Sequence, residues 1–299
     1  MRHVLSVLDL VGISLDGLLD RAEQWRAGQA ALQDRKPPLG ALILERPAVR
    51  TRMAYENAFH HLGGHLTVFE GGVGTSDALA DVGRVLSEMV DLVLVRTSSH
   101  EMLRALADQS DIPVINALSD REHPVEVLAD ALVLRQTFGD LAGRKVTFVG
   151  GGGNVCASLL LLAPLLGMDS AVSSPKGYEP HPQVLKDVQA LARARGRRFE
   201  VVEDPAAAVE GASAVYTDGW PAFNVDDERE RVFGPFRVTQ ELMGKAAADA
   251  IFLHCLPASR GAEVTDEVLD GPRSLAFERL RNLAPTSAAL IEILLKEAE

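Results

Sequence analysis

Short apolar runs alternate with helix-length amphipathic segments along this chain, and no other feature of the sequence restricts its fold as strongly. Nine such runs occur, at residues 39–44, 66–69, 92–95, 113–118, 145–149, 170–173, 199–202, 214–216 and 250–253. A short apolar run is typical of a buried strand, and strands separated by helical segments are typical of a parallel sheet. The sequence therefore predicts an α/β fold built on parallel strands.

A change of pattern near residue 139 divides these runs into two series. The segment from about residue 123 to 138 has one apolar side and ends in a turn at residues 139–144, after which the strand-like runs begin again. A chain of 299 residues is also long enough for two domains of ordinary size. We predict two domains, each a parallel sheet flanked by helices, with the helical segment 287–295 packing back on the first half.

The composition excludes several classes of protein. A net charge of −12 argues against a general nucleic-acid-binding surface, because phosphate backbones need a basic face. No apolar segment approaches the roughly 20 residues that span a bilayer, and the first residues lack a signal-peptide layout. We therefore expect no membrane partner and a cytoplasmic location. Cys156 and Cys255 are too few for a disulfide framework.

A basic segment lies between the first predicted strand and a helix that the pattern places from about Met53. Residues 45–52 read Glu-Arg-Pro-Ala-Val-Arg-Thr-Arg. The guanidinium group matches phosphate oxygens with two parallel hydrogen bonds, and a helix start adds free N–H groups and positive potential. A solvated basic turn is the alternative. The position after a buried strand favours a phosphate site at Arg50, Thr51 and Arg52.

Other polar residues follow the remaining predicted strands, where open parallel sheets bind their ligands. These residues are Arg96, Asp120, His123, Glu126, Asn154, Asp218, His254 and Cys255. Arginine and histidine in the first half suit an anionic phosphate ester or anhydride, whereas aspartate and cysteine in the second half suit a cationic amine. We expect the active site in a cleft between the two domains.

Three motifs, in this order, carry a resemblance to a known family. Residues 50–52 read like the end of a Ser-Thr-Arg-Thr-Arg motif, residues 123–124 like the start of His-Pro-x-Gln, and residues 254–258 read His-Cys-Leu-Pro-Ala. Over nearly its whole length the chain resembles the ornithine/aspartate carbamoyltransferase family, and the ornithine branch in particular. The resemblance implies an enzyme of arginine biosynthesis that forms a homotrimer or a multiple of trimers.

The resemblance also implies a division of labour between the domains. Residues 1–135, completed by the C-terminal helix 280–299, would bind carbamoyl phosphate, and residues 136–279 would bind the amine, ornithine. Arg50, Thr51 and Arg52 would bind the phosphate. Arg96 and His123 would hydrogen-bond the carbamoyl oxygen and stabilise the tetrahedral intermediate.

The remaining implied roles concern the carbamoyl nitrogen and the acceptor. Glu126 and the backbone carbonyl of Leu256 would contact the carbamoyl nitrogen. Asn154 and Asp218 would hold the amino-acid part of the acceptor, and Cys255 with Asp218 would orient its side-chain amine. No cofactor or metal is expected, because carbamoyl phosphate is already an activated anhydride and positioning can supply much of the catalysis.

Several residues depart from the family motifs. Ala48 and Val49 stand where the family has serine and threonine, so two hydroxyl groups are absent from the predicted phosphate site. Glu126 stands in place of glutamine. At a distance of about 6 Å and an effective dielectric constant near 20, its charge would repel a bound phosphate by roughly 3 kcal/mol. Protonation, or an ion pair with a cation such as Arg52, would remove that repulsion.

Two further departures lie in the second half and at the C-terminus. Residues 218–224 keep the aspartate and tryptophan of the family's amine-recognition loop, but Ala222, Phe223 and Asn224 replace its Ser-Met-Gly. A family arginine that binds carbamoyl phosphate falls on Asn282, with Arg281 one residue away. Three possibilities therefore stay open, namely carbamoyl transfer to ornithine, transfer to a different amine, or a non-catalytic ligand-binding paralogue.

Other candidate motifs favour ordinary structural roles. Residues 150–154 read Gly-Gly-Gly-Gly-Asn, but Val155 and Cys156 stand where a dinucleotide fingerprint needs its third glycine. His61 and His65 are four residues apart, yet two glycines separate them and break the helix that a metal pair would need. We expect these histidines at the surface or in packing, and Cys156 as a small core residue.

Overall fold

The computed structural model describes residues 2–32, 36–71, 79–221 and 226–298. The chain divides into two compact units. The first unit comprises Met1–Leu132 with Arg281–Glu299, and the second comprises Val133–Leu280.

The first unit contains a four-stranded sheet and its flanking helices. A 3-10 helical segment at Val7–Leu10 comes first, followed by α1 (Leu15–Arg26), β1 (Leu39–Leu44), α2 (Val49–His61), β2 (His65–Glu70), α3 (Leu79–Met89), β3 (Leu92–Arg96), α4 (His100–Ala107), β4 (Val114–Leu118), α5 (Pro124–Phe138) and, at the C-terminus, α12 (Leu280–Glu297). Helices α5 and α12 each extend across the boundary between the units.

The second unit contains a five-stranded sheet and its helices. Its elements are β5 (Lys145–Val149), α6 (Asn154–Leu165), β6 (Asp169–Ser173), α7 (Pro182–Ala194), β7 (Phe199–Val201), α8 (Pro205–Val209), β8 (Ala214–Thr217), α9 (Asp226–Phe233), a 3-10 segment at Gly234–Phe236, α10 (Gln240–Met243), β9 (Ile251–His254) and α11 (Asp266–Leu269).

All the strand pairs of both sheets are parallel. The first sheet has the order β2-β1-β3-β4, and the second has the order β7-β6-β5-β8-β9. Each predicted apolar run corresponds to one of these strands, with ends that differ by one residue or less. The predicted α/β class with two parallel sheets is confirmed. The runs were recognisable because most parallel strands are covered by helices on both faces and therefore lack polar alternation.

The sheet order brings the ends of particular strands together. Leu44 pairs with Arg96 in the first sheet, so the segments that follow β1 and β3 start side by side. Thr217 pairs with His254 in the second sheet, so the segments that follow β8 and β9 do the same. The ends of these two strand pairs, with the segments that follow them, contain most of the polar residues that the sequence singled out.

Two helices differ from their predicted form. Helix α2 begins at Val49 rather than near Met53, so the basic segment forms its first turn instead of a preceding loop. Helix α5 was predicted to have one apolar side, but all its residues from Val127 to Leu134 are buried. Its polar residue Asp130 has no exposed surface. No helix in the described ranges is long and apolar enough to cross a membrane.

Candidate active site

The first turn of α2 carries the predicted phosphate-binding residues. The N–H group of Arg52 donates to the carbonyl of Ala48 at 2.9 Å, which is the first hydrogen bond of this helix. The N–H groups of Val49, Arg50 and Thr51 precede that bond and lie at the positive end of the helix. Ala48 occupies the N-cap position and makes no side-chain capping bond. The local geometry is that of an anion-binding helix start.

Arg96 reaches this helix start from the end of the neighbouring strand. Its Nη1 donates to the hydroxyl of Thr51 at 2.9 Å. Burial raises the pKa of Tyr55, one turn along α2, above its usual range, the Glu126 carboxylate adds to this rise, and Arg96 opposes it. Arg96 therefore contacts Thr51, and the charges of Arg96 and Glu126 both act on the hydroxyl of Tyr55.

His123 and Glu126 form a close pair at the start of α5. The Nε2 atom of His123 lies 3.2 Å from Oε2 of Glu126, and the two side chains are only 8% and 13% exposed. Glu126 is in the first turn of the helix, where a negative charge is favourable. The predicted ion pair between Glu126 and Arg52 is not the one observed.

Arg52 is directed towards other carboxylates. Its Nε lies 2.8 Å from Glu56 and its Nη1 lies 3.4 Å from Glu70, with 47% of the side chain exposed. Hydrogen bonding and charge from Glu56, with a smaller contribution from Glu70, raise the pKa of Arg52. The structure thus joins Arg96 and Thr51, but it joins Arg52 to Glu56 and Glu70.

Glu45 links the segment after β1 to the segment after β3. Its Oε2 accepts from the Thr97 hydroxyl at 2.9 Å and the Ser98 N–H at 2.5 Å, and its Oε1 accepts from the Ser98 hydroxyl at 2.6 Å. The hydrogen bonds from Ser98, followed by that from Thr97, lower the pKa of Glu45 to about 2. Sequence reasoning missed this residue, although its place directly after a strand was a usable signal.

The second unit brings Asp218 and Cys255 together. Asp218 follows β8, Cys255 follows β9, and the Cys255 thiol donates to Oδ1 of Asp218 at 2.8 Å. The same Oδ1 accepts from the N–H group of Gly219 at 2.7 Å. Within the described part of the chain no hydrogen bond reaches Oδ2 of Asp218. The pair therefore offers a carboxylate and a thiol side by side at the strand ends.

A buried histidine supports the segment that contains Cys255 and Leu256. His254 Nδ1 accepts from the N–H group of Leu256 at 2.8 Å, so the imidazole proton is on Nε2. That Nε2 lies 3.3 Å from Glu263, and both side chains are fully buried. Leu256 has a φ of 60°, a left-handed backbone conformation that a residue with a branched side chain rarely adopts. His254 thus helps to hold Leu256 in this conformation.

One glycine of the segment after β5 is explained by close packing. A Cβ atom on Gly152 would lie 2.0 Å from the backbone nitrogen of Pro180, and the Gly152 N–H donates to the Tyr178 carbonyl at 2.7 Å. Asn154 is the first residue of α6, and its Oδ1 accepts from the N–H group of Val155 at 2.9 Å. The glycine at position 152 is therefore explained by its contact with residues 178–180.

The remaining candidate residues have the following surroundings. His60, His61 and His65 are exposed. Cys156 is buried on α6, and burial, followed by the charge of Asp218, raises the pKa of its thiol well above the usual range. Among the described residues, potential metal ligands cluster at Asp218, His254 and Cys255, with their ligand atoms within 4.8 Å of one another. All three side chains hydrogen-bond within the protein.

Two of the departures from the family motifs have different outcomes. Ala222, Phe223 and Asn224 lie outside the described residues. Asn282 is buried on α12, and its backbone carbonyl accepts from the Thr286 hydroxyl at 2.7 Å, whereas Arg281 is exposed.

Comparisons with known proteins identify one family for both halves of the chain. The carbamoyl-P binding domain of the aspartate/ornithine carbamoyltransferase family matches residues 2–136, and the Asp/Orn binding domain of that family matches residues 142–294. The ornithine carbamoyltransferase of Methanothermobacter thermautotrophicus is 40% identical over 301 residues, which cover 99% of each chain.

Solved structures give the same result. The crystal structure of ornithine carbamoyltransferase from Gloeobacter violaceus has a TM-score of 0.91 at 36% identity and covers 99% of each chain. Acetylornithine transcarbamylase complexed with acetylcitrulline has a TM-score of 0.87 at 27% identity and covers 98% of this chain and 99% of that one. These likenesses extend over nearly the full length, and the resemblance that the motifs indicated is confirmed. The chain belongs to the aspartate/ornithine carbamoyltransferase family of enzymes.

Proposed function

We propose that this enzyme transfers the carbamoyl group of carbamoyl phosphate to the side-chain amine of ornithine, giving citrulline and phosphate. The observation that carries the choice of acceptor is the contact between the Cys255 thiol and the Asp218 carboxylate. A carboxylate attracts a protonated primary amine, and the neighbouring thiol is a weak hydrogen-bond donor and acceptor. Together they can hold the amine while it loses the proton that must leave before attack. The curated relatives named ornithine carbamoyltransferase also support this choice.

The donor would bind to the first unit. Its phosphate would lie at the first turn of α2 beside Arg50 and Thr51, and Arg96 and His123 would donate to the carbamoyl oxygen. The bond between Arg96 and Thr51 supports this arrangement, because it places a cation at the helix start. Arg52 would contribute less to phosphate binding, because Glu56 and Glu70 offset its charge. Glu126 would accept from the carbamoyl nitrogen.

The acceptor would bind to the second unit. Asp218 would attract the amine, Cys255 would orient it, Asn154 would hold the amino-acid end, and the Leu256 carbonyl would accept from the carbamoyl nitrogen. The amine nitrogen forms a bond to the carbamoyl carbon, and the bond from that carbon to the phosphate oxygen breaks. The departing phosphate can take the proton that the amine loses.

A second acceptor is an ornithine whose α-amino group is acylated. One structural neighbour is acetylornithine transcarbamylase, and residues 222–224 differ from the Ser-Met-Gly of the ornithine branch. An acyl group removes the positive charge of the α-amine, so the two acceptors place different demands on the part of the site that faces this end.

The test is turnover of carbamoyl phosphate with each acceptor separately. Phosphate release and the carbamoylated product are measured together, with ornithine in one arm and acetylornithine in the other. We expect citrulline and phosphate in equal amounts in the ornithine arm. If product forms only in the acetylornithine arm, the acceptor is acetylornithine and not ornithine. Binding of carbamoyl phosphate without product from any amine would favour a non-catalytic paralogue.

The family likeness also supports a homotrimer. Sedimentation equilibrium of the purified protein tests this directly, since a trimer or a multiple of trimers is expected and a monomer would contradict it.

A further inference from the structure

We infer that Glu45 is a positioning residue for the donor site. Glu45 holds the end of β3, where Arg96 lies, against the segment that leads to Arg50 and Thr51. This inference rests on the proposed function, because it concerns the same anion-binding site. Glu45 itself is not assigned a contact with the substrate.

The first step is the place of Glu45 in the sheet. It follows the last residue of β1, and its own N–H group donates to the carbonyl of Arg96 at 2.9 Å. That bond continues the pairing of β1 with β3 by one residue. The side chain then extends the connection beyond the end of the strands, to Thr97 and Ser98. The backbone and side chain of one residue thus fix both strand ends.

The second step is the strength of this connection. Three donors from two successive residues converge on one carboxylate, at 2.5 to 2.9 Å. Hydrogen bonds to an ionised acceptor are shorter and stronger than those between neutral groups. The depressed pKa of Glu45, about 2, means that the carboxylate keeps its charge at any ordinary working pH. The segment after β3 is therefore anchored by an ion and not only by backbone contacts.

The third step is what the two segments carry. Arg96 is the last residue of β3, and Thr97 and Ser98 follow it directly. Arg50 and Thr51 lie five and six residues after Glu45, in the first turn of α2. The bond from Arg96 Nη1 to Thr51 Oγ1 spans the same two segments, so its geometry depends on their relative position. A shift of about 1 Å in a positioned group can cost on the order of a hundredfold in rate.

A series of similar contacts continues to the next segment, which leads to His123. The N–H group of His100 donates to Asp120 at 2.7 Å, and the His100 ring lies 2.9 Å from the Ser119 hydroxyl. Glu45 is therefore the first member of a chain of side-chain contacts that connects the segments after β1, β3 and β4. Arg96 directly precedes the second of these segments, Arg50 follows the first, and His123 lies at the end of the third.

The test compares Glu45→Ala with Glu45→Gln in the full-length protein. Calorimetry measures the binding of carbamoyl phosphate, and steady-state kinetics measure both Michaelis constants. We expect Glu45→Ala to weaken carbamoyl phosphate binding by about ten- to a hundredfold, because the anchor between the two segments is lost. The Michaelis constant for the amine is expected to stay unchanged.

Glu45→Gln is the conservative variant. Its amide oxygen can accept from Thr97 and from the Ser98 N–H, and its amide nitrogen can donate to the Ser98 hydroxyl once that hydroxyl rotates. We expect carbamoyl phosphate affinity within about threefold of the wild type, which would be a rescue by hydrogen-bond geometry. A purely structural role would instead lower the active fraction of both variants and leave the Michaelis constants alone.

Glu101→Ala serves as the matched control. Glu101 lies in the first turn of α4, its side chain is 84% exposed, and it pairs with Arg121 at 3.3 Å. Its removal deletes one carboxylate from the same unit without touching Glu45, so binding is expected to match the wild type. If Glu45→Ala fails to fold, Ser98→Ala removes one of the three bonds and is expected to weaken carbamoyl phosphate severalfold.

The outcomes separate this inference from the proposed function. Wild-type affinity for carbamoyl phosphate in Glu45→Ala, or in Ser98→Ala where that variant replaces it, would overturn the positioning role and leave the proposed function standing. A wild-type protein that binds no carbamoyl phosphate would overturn both.

Discussion

The Nε2 atom of His123 lies 3.2 Å from Oε2 of Glu126, three residues further along the chain at the start of α5. This contact changes the meaning of the substitution at position 126. A carboxylate in place of the family glutamine adds a negative charge near the predicted phosphate site, but here that charge faces an imidazole. When the imidazole is protonated, much of the charge is compensated inside the same helical turn.

Glu126→Gln is therefore expected to tighten the binding of carbamoyl phosphate. The change removes a charge that repels the bound phosphate, while the amide oxygen of glutamine can still accept a hydrogen bond from an imidazole N–H. We expect the Michaelis constant for carbamoyl phosphate to fall by about tenfold, less than the unscreened repulsion of roughly 3 kcal/mol allows, because solvent screens part of it. The measurement is a titration with carbamoyl phosphate at saturating amine.

The two Michaelis constants of Glu126→Gln distinguish the alternatives. A higher Michaelis constant for the amine, with an unchanged constant for carbamoyl phosphate, would mean that Glu126 binds a cationic part of the acceptor. No change in either constant would place Glu126 outside the site and would contradict its role at the carbamoyl nitrogen.

Ala48→Ser is expected to stabilise the first turn of α2. Ala48 is at the N-cap position and makes no capping bond, whereas a serine hydroxyl can accept from the N–H group of Thr51. The expected gain is about 1 kcal/mol in the free energy of unfolding, measured by chemical denaturation. The control is Ala48→Val, whose side chain cannot cap. An equal stability of the serine and valine variants would show that the hydroxyl does not cap this helix.

Glu292 is expected to control the stability of the contact between α1 and α12. Its carboxylate accepts from Arg21 at 2.7 and 3.0 Å, from the Trp25 indole at 3.0 Å and from Lys296 at 2.8 Å, and its side chain is 3% exposed. Glu292→Ala leaves the partly buried Arg21 and the buried Trp25 N–H without this acceptor, so we expect a loss of about 2–4 kcal/mol in unfolding free energy. Glu297→Ala removes an exposed pair with Arg2 and should cost about 0.5 kcal/mol or less.

The same residue predicts a dependence of stability on pH. Burial alone would raise the pKa of Glu292, but hydrogen bonds from Arg21 and Lys296 outweigh it and lower the pKa from 4.5. The folded state therefore holds the proton less tightly than the unfolded chain. Its contribution is fully present above pH 4.5 and is lost as the pH falls below that value towards the folded pKa. Glu292→Ala should flatten the acid side of the stability curve, and an unchanged acid limb would contradict this assignment.

The sequence could predict the sheets but not all of the helix boundaries. Buried parallel strands appear as continuous apolar runs, so each could be recognised from local composition. The start of α2 could not, because Val49 to Arg52 is a polar segment after a proline and resembles a turn. The full burial of α5 depends on what packs around it, and no local pattern in Asp130 or its neighbours reports this.

The contacts of the candidate site divide in the same way. The pairing of His123 with Glu126 was open to prediction, since residues three apart on a helix are neighbours. The contacts of Glu45 with Thr97 and Ser98 span more than fifty residues, and those of Glu292 with Arg21 span 271. Such contacts follow from the order of strands in the sheet and from helix docking. Spacing in the sequence carries no signal for them.

The last prediction concerns the Cys255 thiol, which donates to Asp218 at 2.8 Å. Cys255→Ala removes the donor and the group that would orient the amine, so we expect kcat/KM for ornithine to fall by about a hundredfold, as when one positioned polar group is lost from an active site. Cys255→Ser keeps a hydrogen-bond donor at nearly the same place and should retain activity within about tenfold of the wild type.

Both Cys255 variants should leave the binding of carbamoyl phosphate unchanged, because the donor is assigned to the other unit. The matched control is Cys156→Ala, which removes the other thiol of the chain from the buried helix α6. We expect this variant to lose about 1 kcal/mol of stability while its kcat/KM stays near that of the wild type. Equal losses of activity in the two alanine variants would indicate a general packing effect. Full activity of Cys255→Ala would remove the thiol from the acceptor site, and with it the strongest reason for choosing ornithine.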